Sequence, residues 1–381
     1  GQLVVPLPEI DNSNHVLLSS LNETVIQHGA EFNLGIQKYE GNNFSPNGHK
    51  YIRQFDCEVV SRTIYRVGGV ILSKERMLVS FEPRVLIKYT LLEAHSPTTL
   101  RFKPFLAFRS VNELTHENNK ANTTYNESIQ GINMCLYENY PSLHMQFSKK
   151  NIYVHHPDWY KNIEYYKEQE RGYEYKEDLL VPGYFEMPIK KGEVIIFSAG
   201  ITETSPRKLL AMWDDELKRR HHRTDMFSCL KNSAQQFYKR EGSQTYLLAG
   251  YPWFGARARD QFIALPGCTL TIDRMDYFDD IMKTSLEEVR MFLSGDTKNI
   301  KLQEIDDPDV LLWLIWTFQQ YALHTSLKEA ADRFENIATE IITFIRKQNH
   351  PNLFIHNNSL LYVNGKERPV TWMNAVEDGL P

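Results

Sequence analysis

One short segment of the sequence gathers residue types that are suited to binding a sugar. It reads YPWFGARARDQFIALPG over residues 251 to 267, and within eight residues it contains Trp253, Phe254, Arg257, Arg259 and Asp260. A pyranose ring packs its apolar face against an aromatic ring, while its neighbouring hydroxyls suit a carboxylate and a guanidinium held side by side. The same segment is equally compatible with a helix start that carries two surface arginines. The residues are therefore candidates for a sugar-binding site.

The motifs of several other catalytic classes are absent from the sequence. It has no Gly-rich phosphate loop, no His-Glu-x-x-His and no Gly-x-Ser-x-Gly. The adjacent pairs His155-His156 and His221-His222 have no acidic or cysteine ligand at a convincing spacing, and neighbouring side chains diverge on a strand or a helix. We therefore predict no structural metal site.

Length and composition indicate a globular protein of two domains. The 381 residues exceed what one ordinary core accommodates, and the contents of 42% hydrophobic and 24% charged residues are typical of soluble proteins. The net charge of -5 argues against nucleic acid or an anionic membrane as the main partner. The basic run at residues 218 to 223 is a local exception, and a solvated helix end explains it.

Cysteine usage and hydropathy favour the cytoplasm. The four cysteines are widely spaced and form neither a disulfide framework nor a zinc motif. The most apolar run, residues 310 to 318, is about half the length that spans a bilayer, and no signal peptide is visible. We predict a cytoplasmic protein with no membrane partner; its oligomeric state is unknown from the sequence.

Residues 1 to 205 show the alternation of β-strands. Residues 70 to 93 contain two strands joined around Glu82-Pro83. Residues 184 to 200 contain two more, which we predict to form a hairpin turning at Lys191-Gly192. Many short strands with polar turns predict a large N-terminal β-sandwich, of the supersandwich type, over residues 1–205.

Helical periodicity begins at about residue 206, and capping residues mark the helix ends. The first predicted helix covers residues 227 to 237, with Thr224 or Asp225 before it and Gly242 after it. The second covers residues 276 to 293 and ends before Gly295. Asp307-Pro308 starts the third, and Ser326 with Glu329 starts the fourth, which runs to about Lys347.

The last two predicted helices differ in their apolar pattern. Residues 310 to 318 are apolar all round, whereas residues 327 to 345 carry one apolar stripe opposite charged side chains. An all-apolar helix must be surrounded, so we predict an inner helix with an amphipathic helix packed outside it. Such alternation is typical of an (α/α)6 barrel, and residues 206–381 would form its first half. We interpret the chain, which starts at Gly1 and stops at Pro381, as an internal piece of a longer protein.

Residues 158 to 185 are rich in tyrosine and acidic residues. Tyrosines combine an apolar ring with a polar tip and can line a carbohydrate groove. The alternative is a long surface loop whose rings pack on the sandwich. We predict a loop here, because the segment is long and shows little periodicity.

Several of these segments together resemble the glycogen debranching enzyme family in its bacterial form. The segment at 251 to 267 is similar to the family's aromatic-arginine-aspartate signature, and RFKPFLAFRS with THEN, residues 101 to 110 and 115 to 118, is similar to its sandwich signature. The stretch from EQERGY to EDLLVPGYF looks like a third, and VTWMNA at 370 to 375 looks like the Thr-Trp-Met-Asp-Ala segment of its active site.

This resemblance implies a β-sandwich ahead of an (α/α)6 amylo-1,6-glucosidase barrel. It further implies removal of glucose from α-1,6 branch stubs of glycogen or related branched α-glucans, with inversion and without a cofactor. Inverting hydrolysis uses one carboxylic acid on the leaving oxygen and a second carboxylate that activates a water roughly 6.5 to 9.5 Å away. The second carboxylate is expected beyond Pro381.

The resemblance also assigns roles to residues. Arg259 and Asp260 correspond to a pair that holds the hydroxyls of the terminal glucose, and two flanking arginines favour the anionic form of Asp260. Trp253, Phe254, Arg257 and Trp372 would line the same subsite. The family's general acid maps to Asn374, which together with Asp260 completes the set of catalytic candidates.

Asn374 departs from the family pattern. An amide can donate a hydrogen bond, but it cannot give a proton to a leaving alkoxide. Asn374 is compatible with natural loss of activity, with a substitution that traps a complex, or with another acid such as Glu377 or Asp378. The alternatives to a debranching glucosidase are therefore a non-catalytic α-glucan-binding protein and a related glucoamylase or disaccharide phosphorylase.

Overall fold

The computed structural model describes residues 1–11, 13–251, 253–363 and 369–373. The chain divides into two compact units, Gly1–Thr224 and Asp225–Pro381. The first unit is built mainly of β-sheets and the second mainly of helices. The boundary follows Thr224, whereas the sequence analysis ended the first domain at residue 205.

The first unit contains two large sheets. Its strands are β1 (Leu3–Pro6), β2 (Asn14–Gln27), β3 (Ala30–Asn33), β4 (Lys38–Tyr39), β5 (Asn43–Phe44), β6 (Ile52–Cys57), β7 (Ser61–Val67), β8 (Val70–Leu78), β9 (Arg84–Glu93), β10 (Thr98–Ser110), β11 (Asn126–Ser128), β12 (Gly131–Met134), β13 (Leu143–Phe147), β14 (Ile152–Glu164), β15 (Lys176–Ile189) and β16 (Val194–Gly200). Its helices are α1 (Tyr166–Glu170) and α2 (Leu209–Lys218), with short 3-10 turns at Glu40–Asn42, Gly48–Tyr51 and Pro206–Lys208.

The two sheets share one apolar core, which confirms the sandwich-type arrangement predicted for this part of the chain. One sheet has the order β1-β2-β10-β15-β14 with β3 beside β2, and the other has the order β11-β12-β13-β16-β9-β8-β7-β6. Aromatic rings from both sheets meet in the core. Phe102 of β10 lies 4.9 Å from Tyr89 of β9 and 5.0 Å from Phe147 of β13, between ring centroids. Alternating side chains on facing strands therefore interlock the sheets.

The strands β15 and β16 do not form the predicted hairpin. The turn lies where the sequence placed it, with Gly192 at a φ of 80°. However, β15 pairs with β10 and β14, whereas β16 pairs with β9 and β13. The connection at Lys191-Gly192 therefore carries the chain from one sheet to the other. Local turn chemistry predicted the turn but could not identify the partners of each strand.

The tyrosine-rich segment is mostly strand, so the predicted loop is wrong. β14 pairs antiparallel with β15 from Ile152 opposite Glu186 to Glu164 opposite Lys176, and α1 lies in the connection. The register shifts between His155 and Asp158 and again between Tyr160 and Ile163. These irregularities break the alternation of side chains, which explains why the sequence lacks a clear period of two.

The helix α2 covers the outer face of the second sheet. Leu209 and Trp213 are buried with Leu86 and Ile196, which lie on the face opposite the main core. This packing makes α2 part of the first unit although it lies beyond residue 205.

The second unit consists of five helices and two short hairpins among its described residues. They are α3 (Met226–Gln235), β17 (Tyr238–Glu241), β18 (Gln244–Leu247), α4 (Ala258–Cys268), α5 (Met275–Ser294), α6 (Val310–His324), α7 (Leu327–Arg346), β19 (Leu353–Ile355) and β20 (Leu361–Val363), with a 3-10 turn at Leu270–Ile272. None of the described helices of the chain is long and apolar enough to cross a membrane.

Three of the predicted caps set helix ends in the second unit. The Asp225 side chain accepts a hydrogen bond from Ser228 N at 2.9 Å, and Ser326 Oγ accepts one from Glu329 N at 3.1 Å. Gly295 follows α5 at a φ of 84°, as a left-handed C-terminal cap requires. Gly242 does not follow a helix; it lies in the turn between β17 and β18 at a φ of 59°.

The helix α6 packs against both α4 and α7. The rings of Phe318 and Phe334 stack with centroids 4.4 Å apart, and the apolar stripe of α7 is buried at Ile337 and Ile341. Leu312 on α6 is 38% exposed, so this helix is not surrounded on all sides by described residues. These helices follow the sandwich-type sheets as predicted, while closure into a barrel stays a prediction.

A buried ion pair joins the two sheets of the first unit. Lys74 Nζ lies 2.5 Å from Glu23 Oε1, and both side chains are at most 7% exposed. The Tyr89 hydroxyl donates to the same Glu23 oxygen at 2.5 Å. Burial, together with the Glu23 carboxylate, raises the pKa of Tyr89 well above its ordinary value. The Glu23 carboxylate is therefore stabilised by one cation and one hydroxyl.

Replacing the cation of this pair should strongly destabilise the first unit. Lys74→Met leaves the Glu23 carboxylate buried without its cation, and we expect a loss of about 3–5 kcal/mol in the free energy of unfolding, measured with urea. The double variant Glu23→Gln with Lys74→Met removes both charges and keeps an acceptor for Tyr89, so it should recover most of the loss. Equal stabilities of the two variants would contradict this account.

A buried histidine should make the second unit sensitive to acid. His350 is 1% exposed, its Nδ1 accepts from Asn352 N at 3.1 Å, and its Nε2 has no partner among the described residues. Burial lowers the pKa of His350 below the ordinary value of 6.5, although the negative charges of Asp306 and Asp307 counteract part of this shift. Unfolding therefore takes up a proton, and stability falls as the pH drops below about 6.5.

The pH dependence can be measured by denaturant unfolding between about pH 7.5 and pH 5. His350→Leu should be less stable at neutral pH, and its stability should decline less steeply with acid than that of the unmodified protein. His324→Leu, at an exposed position on α6, is the matched control and should keep the original slope. A slope that is unchanged in His350→Leu would rule out His350 as the source.

Candidate functional site

A pocket in the second unit brings together four of the predicted sugar-binding residues. Its volume is about 330 Å³, and it is lined by Arg257, Arg259, Asp260, Glu304, Pro369, Thr371 and Trp372. This volume is at the lower end of the range of about 300–1,000 Å³ that is usual for small-molecule sites. The fold thus joins the start of α4 to residues 369–372, two segments that the sequence analysis assigned to one site.

The start of α4 is fixed by pairing with a neighbouring segment. Ala258 N donates to Gln303 O at 3.0 Å, and Gln303 N donates to Ala256 O at 2.9 Å. The chain before α4 therefore runs alongside Gln303 and carries the adjacent Glu304 to the pocket. Asp260 lies in the first turn of α4, where a negative charge interacts favourably with the helix dipole.

Arg259 is held by two aspartates. Its Nη2 donates to Asp307 Oδ2 at 2.6 Å and to Val370 O at 2.9 Å, and its Nε lies 3.0 Å from both carboxylate oxygens of Asp309. The Arg259 side chain is 13% exposed. Its Nη1 has no hydrogen-bond partner among the described residues, so one end of the guanidinium can donate to a ligand.

Asp309 connects three parts of the site. Besides Arg259 on α4, its carboxylate accepts from Trp313 Nε1 at 3.2 Å and from Trp372 N at 2.7 Å. Asp309 immediately precedes α6, yet its side chain does not cap that helix. The carboxylate instead fixes the backbone of Trp372, whose indole is 62% exposed. An exposed aromatic ring on a fixed backbone suits stacking on a sugar face.

The two arginines do not flank Asp260 as the sequence suggested. The Arg257 guanidinium lies over the Phe254 ring at 4.8 Å from its centroid, and its Nε is 4.0 Å from Glu304. Arg259 pairs with its own aspartates. The Asp260 carboxylate has no hydrogen bond or ion pair with the described residues. Successive helical residues point about 100° apart, which explains why neighbours in sequence diverge here.

The remaining predicted site residues are Trp253, Phe254 and Asn374. Trp253 and Phe254 are 60% and 46% exposed and do not belong to the lining of the pocket. Phe254 is linked to it through Arg257. The general-acid position Asn374 lies outside the described residues.

Sequence reasoning missed three acidic residues of this site, which are Glu304, Asp307 and Asp309. The run DDPD at 306 to 309 was interpreted only as a helix start. The negative charge of this run was a signal in the sequence that it could pair with an arginine, because a buried arginine requires carboxylate partners. The described residues contain no group of three His, Cys, Asp or Glu side chains that could hold a metal ion.

The chain resembles known proteins in both units. The family model described as glycogen debranching enzyme N terminal matches residues 1–196, and the model described as amylo-alpha-1,6-glucosidase matches residues 231–381. No curated protein sequence matches significantly.

Among solved structures, a bacterial glucoamylase complexed with acarbose is similar with a TM-score of 0.45 and 9% identity. The similarity covers 88% of this chain and 53% of that protein, so the chain spans about half the length of the glucoamylase. A polysaccharide lyase is similar with a TM-score of 0.24 and 11% identity, over 88% of this chain and 65% of that one. Since the match of the N-terminal model alone covers 196 of the 381 residues, the chain belongs to the glycogen debranching enzyme family.

Proposed function

We propose that this chain is part of a glycoside hydrolase that removes α-1,6-linked glucose from branch stubs of glycogen or related α-glucans. The observation that carries this proposal is the pocket that joins Arg259 and Asp260 to Trp372. It lies in the segment matched by the amylo-alpha-1,6-glucosidase model. The partner is a branched α-glucan in the cytoplasm, and no cofactor takes part.

The pocket offers each kind of contact that a terminal glucose requires. The free carboxylate of Asp260 can accept hydrogen bonds from two neighbouring hydroxyls, and Arg259 Nη1 can donate to a third oxygen. The exposed Trp372 offers a flat apolar surface through its indole. Arg257 and Phe254, which pack on each other, and Trp253 would extend this surface toward the rest of the glucan.

Hydrolysis with inversion requires a proton donor at the leaving oxygen. The family resemblance places this donor at position 374, where the chain has an amide. Asn374 can hold the glycosidic oxygen by a hydrogen bond but cannot protonate it. The chain is therefore proposed to bind the branch stub competently and to release glucose slowly.

Asp260→Ala should abolish what glucose release the complete protein shows with a branched dextrin, because the substitution removes the acceptor for the sugar hydroxyls. Glucose release can be followed with a coupled glucose assay. Asp332→Ala, at an exposed position on α7, is the matched control and should leave the rate unchanged. Rates in Asp260→Ala equal to those of the unmodified protein would overturn the role of Asp260.

Position 374 separates the glucosidase from a second candidate, a non-catalytic α-glucan-binding protein that kept the pocket and lost the acid. The observation that favours this candidate is Asn374 itself. Asn374→Asp should restore the proton donor, and general acid catalysis typically contributes about 10²–10⁴-fold. A gain of this size in glucose release would support an impaired glucosidase. No gain, with glucan binding intact, would favour the binding protein.

A further inference from the structure

Glu304 adopts a backbone conformation that is unfavourable for its residue type. Its φ is 59°, in the left-handed region that glycine occupies freely and other residues occupy at a cost. The neighbouring pairing of Gln303 with Ala256 and Ala258 fixes the backbone at this point. Nothing in that pairing requires a side chain at 304, so glycine would satisfy the backbone better.

The Glu304 side chain forms no close ion pair with the described residues. It is 28% exposed and lines the pocket. Its nearest cation is Arg257 Nε at 4.0 Å, a separation too long for a hydrogen bond. Its carboxylate accepts no hydrogen bond from the described residues. Glu304 is one of eleven described residues other than glycine with a positive φ, and it is the one that lines this pocket. Strained backbone conformations of this kind cluster at functional sites.

The charged side chains around Glu304 indicate which class of ligand its carboxylate can bind. Asp260 supplies a second carboxylate without a protein donor, while Arg257 and Arg259 supply two positive charges to the same lining. The pocket therefore offers free hydrogen-bond acceptors beside hydrogen-bond donors, and Asp307 and Asp309 already neutralise Arg259, so no excess positive charge is available to hold an anion. A neutral molecule that donates several hydrogen bonds and accepts others is a polyhydroxylated one, such as a sugar.

We propose that Glu304 is a second substrate-binding carboxylate of this pocket and that it accepts hydrogen bonds from hydroxyls of the α-1,6-linked glucose. This inference rests on the proposed function, since it concerns the same pocket. With Asp260 it would provide acceptors on two segments, the first turn of α4 and the chain before α6. Two separate acceptors would recognise the arrangement of hydroxyls around the ring and thus contribute to selection of glucose.

The test measures binding of panose, the smallest glucan with an α-1,6-linked glucose on an α-1,4-linked pair, by calorimetry of the whole chain. Glu304→Gln keeps the size of the side chain and removes its charge. Hydrogen bonds to charged groups are strong, so Kd should rise about tenfold or more. The same titrations use a series of panose derivatives, each lacking one hydroxyl of the α-1,6-linked glucose. For the derivative that lacks the hydroxyl bound by Glu304, the variant and the unmodified protein should have nearly equal Kd values.

Glu304→Gly distinguishes a role in binding from a role in folding. Glycine removes the carboxylate and relieves the positive φ, so the variant should lose the same affinity while its Tm stays equal or rises. The matched control is Gln348→Gly, at another left-handed residue with a φ of 55° after α7. This control should leave both panose binding and Tm at or above the values of the unmodified protein.

The outcomes separate the two proposals. Weaker panose binding in Glu304→Gln and Glu304→Gly, with no loss of Tm, supports the role of Glu304. Binding within about twofold of the unmodified protein in both variants overturns it and leaves the proposed function intact. A lower Tm in Glu304→Gly indicates a structural role and also overturns it. Failure of the unmodified protein to bind panose overturns the proposed function itself, and this inference with it.

Discussion

The candidate site depends on one guanidinium held between two carboxylates. Arg259 projects from α4, while Asp307 and Asp309 lie just before α6. Because the arginine is largely buried, its charge must be neutralised where it lies, and the two aspartates do so. The same interaction holds Val370 O and, through Asp309, the backbone of Trp372. Three segments that are distant in sequence thereby converge on one pocket.

Arg259 and Asp260 are neighbours in the first turn of α4, but their side chains have different surroundings. Arg259 forms the buried ion pairs of the pocket wall, whereas the Asp260 carboxylate has no hydrogen bond or ion pair with the described residues. Under the proposed function, a sugar hydroxyl replaces water at Asp260 without disturbing the buried charges. Glu304 resembles Asp260 in this respect. The pairing of the adjacent Gln303 fixes its backbone, while its carboxylate has no close partner among the described residues.

The sequence predicted local features better than long-range ones. Alternation and turn residues correctly gave β8 and β9, and Ser326 gave the start of α7. The partners of β15 and β16 were missed because the same turn residues serve a hairpin and a crossing between sheets. The strand β14 was missed because two register shifts disrupt its period. At the site, residue type made Asp260 a candidate and the family resemblance made Trp372 another, and both line the pocket. The partners of Arg259 were not predictable, since their contact is created only by the packing of α6 against α4.

The triple use of the Asp309 carboxylate has an evolutionary consequence. Each of its contacts belongs to a different segment, so a substitution at 309 changes α4, α6 and the chain at 372 in a single step. Positions 259, 307 and 309 should therefore drift together among relatives of this chain. A lineage that replaces the arginine by an apolar residue should also lose the two acids, because buried carboxylates without a cation are unstable. Asp260 and Glu304 lie outside this network and can diverge singly, and under the proposed function their changes would record changes of ligand rather than changes of architecture.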